Sequence, residues 1–307
     1  MRKDFVNEVA RVQRVKRTDL IEKDLILHQV LFDLSKDTFF HENFAFKGGT
    51  CLAKCYMDYF RFSEDIDFTW KNQRVFEGKS QKEIRKYLSK VIDSIGEVFE
   101  GIAKKRGLDF KCLKDNRSYV ELGGGNKTCT FKIWYQSEVL GRKSFLKVQM
   151  NFVEKLYFPL KSAELGSFLP EEREELTLLF PEFKEYTQKI LFDVYDVREI
   201  LCEKIRAILT RKGVKARDFL DVYLICREFR IELEDVYGCS VEKIRFTLCL
   251  YERYRKNLED KKTLVMSAPF TWGEEKGLLL KAIDEKEFYK FLEKLQKFLK
   301  KVIDELT

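Results

Sequence analysis

The chain is poor in the residues that hold metals through nitrogen and sulfur. Its 307 residues include two histidines and no Cys-x-x-Cys pair, so the ligand spacing of a zinc site is missing. The eight cysteines, at 51, 55, 112, 129, 202, 226, 239 and 249, are scattered. They read as reduced, mostly buried thiols of a reducing compartment. Cys51 and Cys55, one helical turn apart, read as helix packing. Four prolines and no low-complexity tract argue against a long disordered segment. No apolar run reaches the roughly 18 uncharged residues of a membrane span. The opening MRKDFVNEVARVQRVKR lacks the apolar centre of a secretory signal. The expectation is a cytoplasmic protein with no membrane segment.

What is present suits a sizeable core with solvated helix faces. Hydrophobic residues make up 45% and charged residues 36% of the chain, and the length allows two domains or one elaborated domain. The net charge is +7, from 58 basic against 51 acidic residues. That balance is compatible with a phosphate-rich partner and does not require one. Basic runs such as IAKKRG and KFLKKV read as ordinary solvated helix faces.

Periodicity divides the chain in two. Residues 19–35, DLIEKDLILHQVLFDLS, carry apolar positions at helical spacing. NFAFKGG reads as a short strand into a turn, and TCLAKCYM as a helix opening at Thr50, a good N-cap type. DIDFTW alternates and reads as a strand. Ser80 and Glu83 make a capping-box pattern for a helix to about Lys105. LDFKCLK, SYVEL, CTFKIWY and FLKVQMNFV read as strands, with GGGNK as a hairpin turn between the second and third. Residues 155–192 are ambiguous. From Asp196, which forms a second capping-box pattern with Glu199, the chain reads as helical, ending in a helix over Lys286 to Leu306. The predicted layout is α+β: a mixed α/β domain over 1–190 and a helical domain over 191–307.

The sharpest feature is FKGGTCLAKCYMDYFRFSEDIDFTW, residues 46–70. Alternation along a strand puts Asp65 and Asp67 on one face. Two close carboxylates repel and call for a cation. Hard divalent ions take oxygen ligands, and Mg²⁺ commonly uses one or two carboxylates plus phosphate oxygens. A glycine turn into a helix offers backbone N–H groups to phosphate, and Gly48, Gly49 and Thr50 are so arranged. Asp-x-Asp alone, or Gly-Gly-Thr alone, is more often structural. The succession strand, glycine pair, helix, strand, Asp-x-Asp points to a metal–triphosphate site and to nucleotidyl transfer.

FKGGTCLAK followed by RFSEDIDF resembles the AbiEii/AbiGii-type nucleotidyltransferase toxins of the polymerase-β-like superfamily. EILCEKIRAILTRKGVKARDFLDVY, residues 199–223, is similar to that family's second motif, and IEKDLILHQVL looks like its opening helix. The resemblance covers roughly residues 20–225. It implies a polymerase-β-like nucleotidyltransferase core with a mixed sheet, followed by a helical C-terminal domain. It further implies a toxin of a toxin–antitoxin or phage-defence pair, with a cognate antitoxin. Such a protein binds a nucleoside triphosphate with Mg²⁺, and some members transfer nucleotides to the 3′ end of tRNA. Carried onto this chain, Asp65 and Asp67 hold Mg²⁺, Gly49, Thr50 and Ser63 contact phosphate, Lys204 neutralises the triphosphate, and Asp218 or Asp221 completes the second motif. Arg206, Arg211 and Arg217 belong to the same stretch.

Other readings stay open beside it. Arg217 and Asp221, four apart, suit a pair on one helix face, and Lys204 alone suits a solvated lysine. The family's third carboxylate has no counterpart on FLKVQMNF, whose polar face carries Lys147, Gln149 and Asn151. An amide can ligate through oxygen but is no base at neutral pH. Arg142, Lys143, Arg211, Lys212 and Lys215 are candidates for an RNA backbone or plain solubilising charge. Competing functions are nucleotidylation or phosphorylation of a protein by the same site, and nucleotide or RNA binding by a decayed one.

Overall fold

The structure, a computed structural model, describes residues 2–169, 174–267 and 270–306. The chain divides into two compact units: Met1–Glu154 with Leu160–Val194, and Lys155–Pro159 with Tyr195–Thr307. None of the described helices is long and apolar enough to cross a membrane.

The first unit is built on a mixed seven-stranded sheet. Its strands are β1 (Phe44–Lys47), β2 (Asp65–Trp70), β3 (Val120–Gly123), β4 (Thr128–Gln136), β5 (Lys143–Asn151), β6 (Lys161–Leu165) and β7 (Ile190–Val194), in the order β3-β4-β5-β2-β1-β7-β6. The β2–β5 and β1–β7 pairs are parallel and the other neighbours antiparallel. Its helices are α1 (Arg2–Gln13), α2 (Thr18–Lys36), α3 (Thr38–Asn43), α4 (Gly48–Cys51), α5 (Gln81–Arg106) and α6 (Glu174–Leu179). The architecture is α+β.

Strand alternation makes the two sheet faces chemically distinct. Phe46, Phe68, Met150 and Cys129 form one cross-strand row, and Ile66, Val148 and Phe131 the next; all are buried. Phe99 of α5 packs on Phe131 at 5.0 Å, and Phe40 of α3 meets Phe68 edge-on at 4.7 Å. On the other face the rows read Lys47, Asp67, Gln149, Thr130 and Asp65, Lys147, Lys132. The catalytic candidates therefore stand on the polar face of a sheet whose other face is aromatic core.

Helix α5 begins with the capping box expected at Ser80 and Glu83 and ends on left-handed Gly107. GGGNK is a hairpin turn, with Gly124, Gly125 and Asn126 at φ 57°, 66° and 73°. LDFKCLK departs from the strand reading and makes only an isolated bridge, Asp109 to Trp134. Its Cys112 instead packs against Gly96 of α5, and its backbone N–H donates to Glu100.

The second unit comprises α7 (Val197–Thr210), α8 (Ala216–Phe229), α9 (Tyr237–Leu250), α10 (Glu252–Ser267) and α11 (Glu285–Leu306). Helix α7 packs on α8, α9 and α10, and α11 on α8, α9 and α10. Asp196 caps α7 by accepting from the Arg198 N–H at 3.0 Å. Glu199 does not close a capping box. Its Oε2 accepts from the backbone N–H groups of Tyr157 and Phe158, and its Oε1 pairs with Lys243 at 2.5 Å. The fully buried Lys243 also donates to the Lys155 carbonyl. This ion pair straps residues 155–159 onto the helical unit.

Candidate active site

The glycine turn follows β1 directly. Helix α4 begins at Gly48, two residues before the N-cap expected at Thr50. It runs straight into a π-helical turn, Leu52–Tyr56, an arrangement often found at functional sites. Thr50 does not cap because its hydroxyl is engaged elsewhere: it donates to the Asp65 carbonyl and lies 2.8 Å from Ser63 Oγ.

Two close approaches explain the glycines. Gly48 has φ +79°, and a β-carbon there would stand 2.9 Å from the Asp67 Cγ and overlap its carboxylate oxygen. At Gly49 a β-carbon would lie 2.6 Å from Arg61 Nη2 and 3.3 Å from Ser63 Oγ. The turn is thus clasped between the Asp67 carboxylate and the Arg61 guanidinium. Gly48, Gly49, Thr50, Ser63, Asp65 and Asp67 form one constellation.

Reaching that geometry requires a sharp return of the chain. Asp58 and Tyr59 are consecutive left-handed residues, at φ 44° and 49°, a conformation that costs a non-glycine residue roughly 1–2 kcal/mol. Tyr59 is held in place by its own contacts. Its N–H donates to the Ala53 carbonyl at 2.9 Å, and its hydroxyl meets Lys54 Nζ, Asp24 Oδ2 at 3.1 Å and the Gly166 carbonyl at 3.3 Å. Lys54 pairs with Asp24 at 2.8 Å, and the Tyr186 hydroxyl donates to Asp24 at 2.7 Å. Burial pushes the Lys54 ammonium below its usual range, opposed by Asp24, and pushes both tyrosine hydroxyls well above theirs.

The Asp67 side chain is oriented from β5. Gln149 Nε2 donates to Asp67 Oδ1 at 3.0 Å. Lys47, opposite Asp67 across the sheet, is buried with its Nζ 3.6 Å from Glu154 Oε2. Asp65 and Asp67 are half-buried. This donor set fits a hard divalent ion, since two carboxylates on one face leave coordination positions for phosphate oxygens and water. Among the described residues no group of three or more His, Cys, Asp or Glu converges as a metal cage.

The second motif forms its own cluster in the helical unit. Lys204 is buried, not solvated, with Nζ 3.0 Å from Asp218 Oδ1 and 2.7 Å from Asp221 Oδ2. Arg211 Nη1 is 2.8 Å from Asp218 Oδ2. Burial opposes the charged form of Asp218, but Lys204, Arg211 and Arg217 together outweigh it and hold the carboxyl at about 2. Lys261 also feels Asp218, and its Nζ donates to the Gly213 carbonyl of the basic turn. Arg206 is 3.8 Å from Glu203. Lys212 and Lys215 are exposed, as are Arg142 and Lys143 in the first unit, where Lys143 lies 3.4 Å from Asp109.

Sequence reasoning missed Arg61, Lys47, Glu154, Lys261 and the Asp24–Lys54–Tyr59–Tyr186 group. Arg61 lay inside the stretch already singled out, and a charge between Phe60 and Phe62 was its one visible signal. The others depend on strand register and on contacts across the chain.

A family model described as "Nucleotidyl transferase AbiEii toxin, Type IV TA system" matches residues 29–304. No curated protein matches the sequence. The protein JHP933 from Helicobacter pylori is similar to the chain in crystal structure at 13% identity and a TM-score of 0.45, over 94% of each chain. A candidate nucleotidyltransferase from H. pylori is similar at 15% identity and a TM-score of 0.41, over 94% of this chain and 98% of that one.

Proposed function

The chain belongs to the AbiEii nucleotidyl transferase toxin family, and from that premise we propose that it is a Mg²⁺-dependent enzyme of the cytoplasm. It transfers a nucleotide from a nucleoside triphosphate to the 3′ end of an RNA, tRNA being the first substrate to test, and a cognate antitoxin restrains it. The observation that carries this reading is the clasped glycine turn. Gly48 and Gly49 have no room for side chains because Asp67 and Arg61 close on them, which sets backbone N–H groups and a carboxylate beside one another.

In this reading Asp65 and Asp67 hold the metal, which when bound supplies positive charge to the triphosphate oxygens. Gly48, Gly49, Thr50 and Ser63 receive phosphate at the start of α4. Gln149 keeps the Asp67 carboxylate in one orientation. The acceptor hydroxyl oxygen attacks the α-phosphorus, the bond to the β-phosphate oxygen breaks, and pyrophosphate leaves. Gln149 cannot take the hydroxyl proton, which passes to solvent water, and positioning and charge stabilisation provide most of the acceleration. For the second motif we assign charge neutralisation to Lys204, with Asp218, Asp221, Arg211 and Arg217 supporting it. What favours this is the cluster of cations there: Lys204, Arg211 and Arg217 all act on Asp218, against the two carboxylates Asp218 and Asp221 that Lys204 bridges.

The test is incubation of the protein with Mg²⁺, total tRNA and each α-labelled triphosphate in turn, beside D67N. Label on RNA with one triphosphate, lost in D67N, is the expected result. Label on protein instead would replace the RNA acceptor with a protein one. Triphosphate binding without transfer to either would favour a binding-only protein.

A further inference from the structure

Two thiols of the helical unit lie closer than any other cysteines described. Cys202 Sγ, on α7, is 2.7 Å from Cys239 Sγ, on α9, although the two residues are 37 positions apart. Packed thiols need more room than this, and a disulfide needs only the further approach to about 2.05 Å. The chain therefore brings these sulfurs together across a helix–helix contact and leaves them poised for a bond.

The surroundings divide the roles. Cys202 is fully buried, and Cys239 is half-buried. Cys239 is the third residue of α9, where the backbone N–H groups of Cys239 and Ser240 hydrogen-bond to its sulfur and favour the thiolate. The Arg198 guanidinium lies within electrostatic reach of both sulfurs. A hydrogen bond from Cys202 lowers the Cys239 thiol below its ordinary value and raises that of Cys202; burial and Glu199 work against Cys239. When the proton sits on Cys239 instead, Val236 O accepts it at 3.1 Å. Beside Cys239 there is space, since a β-carbon on Gly238 would meet nothing within 4 Å.

We propose that Cys202 and Cys239 are a redox modification site that hydrogen peroxide converts to an intramolecular disulfide. The Cys239 thiolate attacks one peroxide oxygen, the O–O bond breaks, and Cys239 becomes a sulfenic acid while the released hydroxide is protonated to water. The Cys202 sulfur then attacks the Cys239 sulfur, the S–O bond breaks, and a second water leaves with the Cys202 proton. Each sulfur gives one electron and the peroxide takes two. The bond ties α9 to α7, the helix that carries Lys204 two residues further on.

The test uses the reduced full chain, treated with hydrogen peroxide, denatured, alkylated and digested without reductant. The exposed Cys249 serves as an internal gauge of oxidant exposure. The expected product is one linked peptide joining Cys202 to Cys239, lighter by two hydrogens and restored by dithiothreitol. C202S treated alike should stop at a sulfenic acid on Cys239, trapped by dimedone. Recovery of Cys202 and Cys239 as alkylated thiols after Cys249 is consumed would overturn the proposal. So would links joining either residue to a different cysteine.

Discussion

Replacing Gly48 by alanine separates the two jobs of that glycine. The first is conformational, because φ +79° costs a residue with a β-carbon roughly 1–2 kcal/mol. The second is spatial: the β-carbon would overlap the Asp67 carboxylate oxygen and stand 2.9 Å from its Cγ. Asp67 must then move, and its bond from Gln149 at 3.0 Å must stretch or break. A displacement of about 1 Å in a positioned group costs about 100-fold in rate. Gly107 is the control. It has φ +64° at the end of α5 and nothing within 4 Å of a built β-carbon. G107A should therefore lose stability by the same roughly 1–2 kcal/mol and keep its transfer rate. G48A should lose similar stability and, in addition, about two orders of magnitude in transfer of label from α-labelled triphosphate. Urea denaturation reads the first quantity and initial rates at saturating Mg²⁺ read the second. If G48A transfers nucleotide as fast as G107A, the carboxylate does not need its place against the turn, and the reading of this site is wrong.

D67N should abolish transfer, whereas Q149L should raise the Mg²⁺ concentration needed for half-maximal rate about tenfold, the worth of one hydrogen bond to a charged group; equal rates in Q149L and wild type at limiting Mg²⁺ would contradict an orienting role. K204M leaves Asp218 and Asp221 buried without their shared cation, and should lower stability by about 3–5 kcal/mol in urea; a loss under 1 kcal/mol would contradict the ion-pair geometry. Asp218 is held at about 2 against an ordinary 3.8, so its contribution is complete above about pH 4 and lost as pH falls toward 2. That shift is worth about 2 kcal/mol, so the stability gap between wild type and D218N should shrink by about two-thirds of that amount from pH 7 to pH 2.5. A gap that stays constant would mean the carboxyl is not held down in the folded state.

What the sequence made legible was set by neighbours in the chain. Ser80 and Glu83 lie three residues apart and cap each other, so the pattern and the structure agree. Asp65 and Asp67 share a face because alternation permits nothing else. The hairpin at GGGNK follows from three successive left-handed residues that glycine and asparagine tolerate. Failures occurred where a distant partner outbid the local one. Thr50 is a natural cap, but Ser63 and the Asp65 carbonyl take its hydroxyl, so the helix opens at Gly48. Glu199 stands where a capping box would use it, but Lys243 and the amides of Tyr157 and Phe158 claim it. LDFKCLK alternates like a strand, but Cys112 fits the gap left by Gly96 on α5. Lys204 looked the same whether solvated or buried, because nothing within its own helix reveals that α8 brings Asp218 and Asp221 to it. The family match also reaches residue 304, well past the motifs that carried the resemblance, since amphipathic helices such as α11 leave little local signature.

The opening helix gains a purpose from the same contacts. IEKDLILHQVL contains no residue of the glycine turn and none of the paired carboxylates. Yet its Asp24 is buried at the centre of the group formed by Lys54, Tyr59 and Tyr186. A buried carboxylate is stable only with such partners, and each partner fixes a different stretch of chain. Lys54 anchors the π-helical turn that continues α4. Tyr59 anchors the left-handed return, which then delivers Arg61 to Gly49 and Ser63 to Thr50. Tyr186 ties in the short helix Pro181–Thr187 that precedes β7. An apolar core would stabilise these segments as well, but it would not specify the hydroxyl of Tyr59 at one point, and two successive left-handed residues relax unless they are over-determined. The polar cluster behind the turn therefore sets the geometry in front of it, and the resemblance of the opening helix and that of the glycine motif describe two ends of one device.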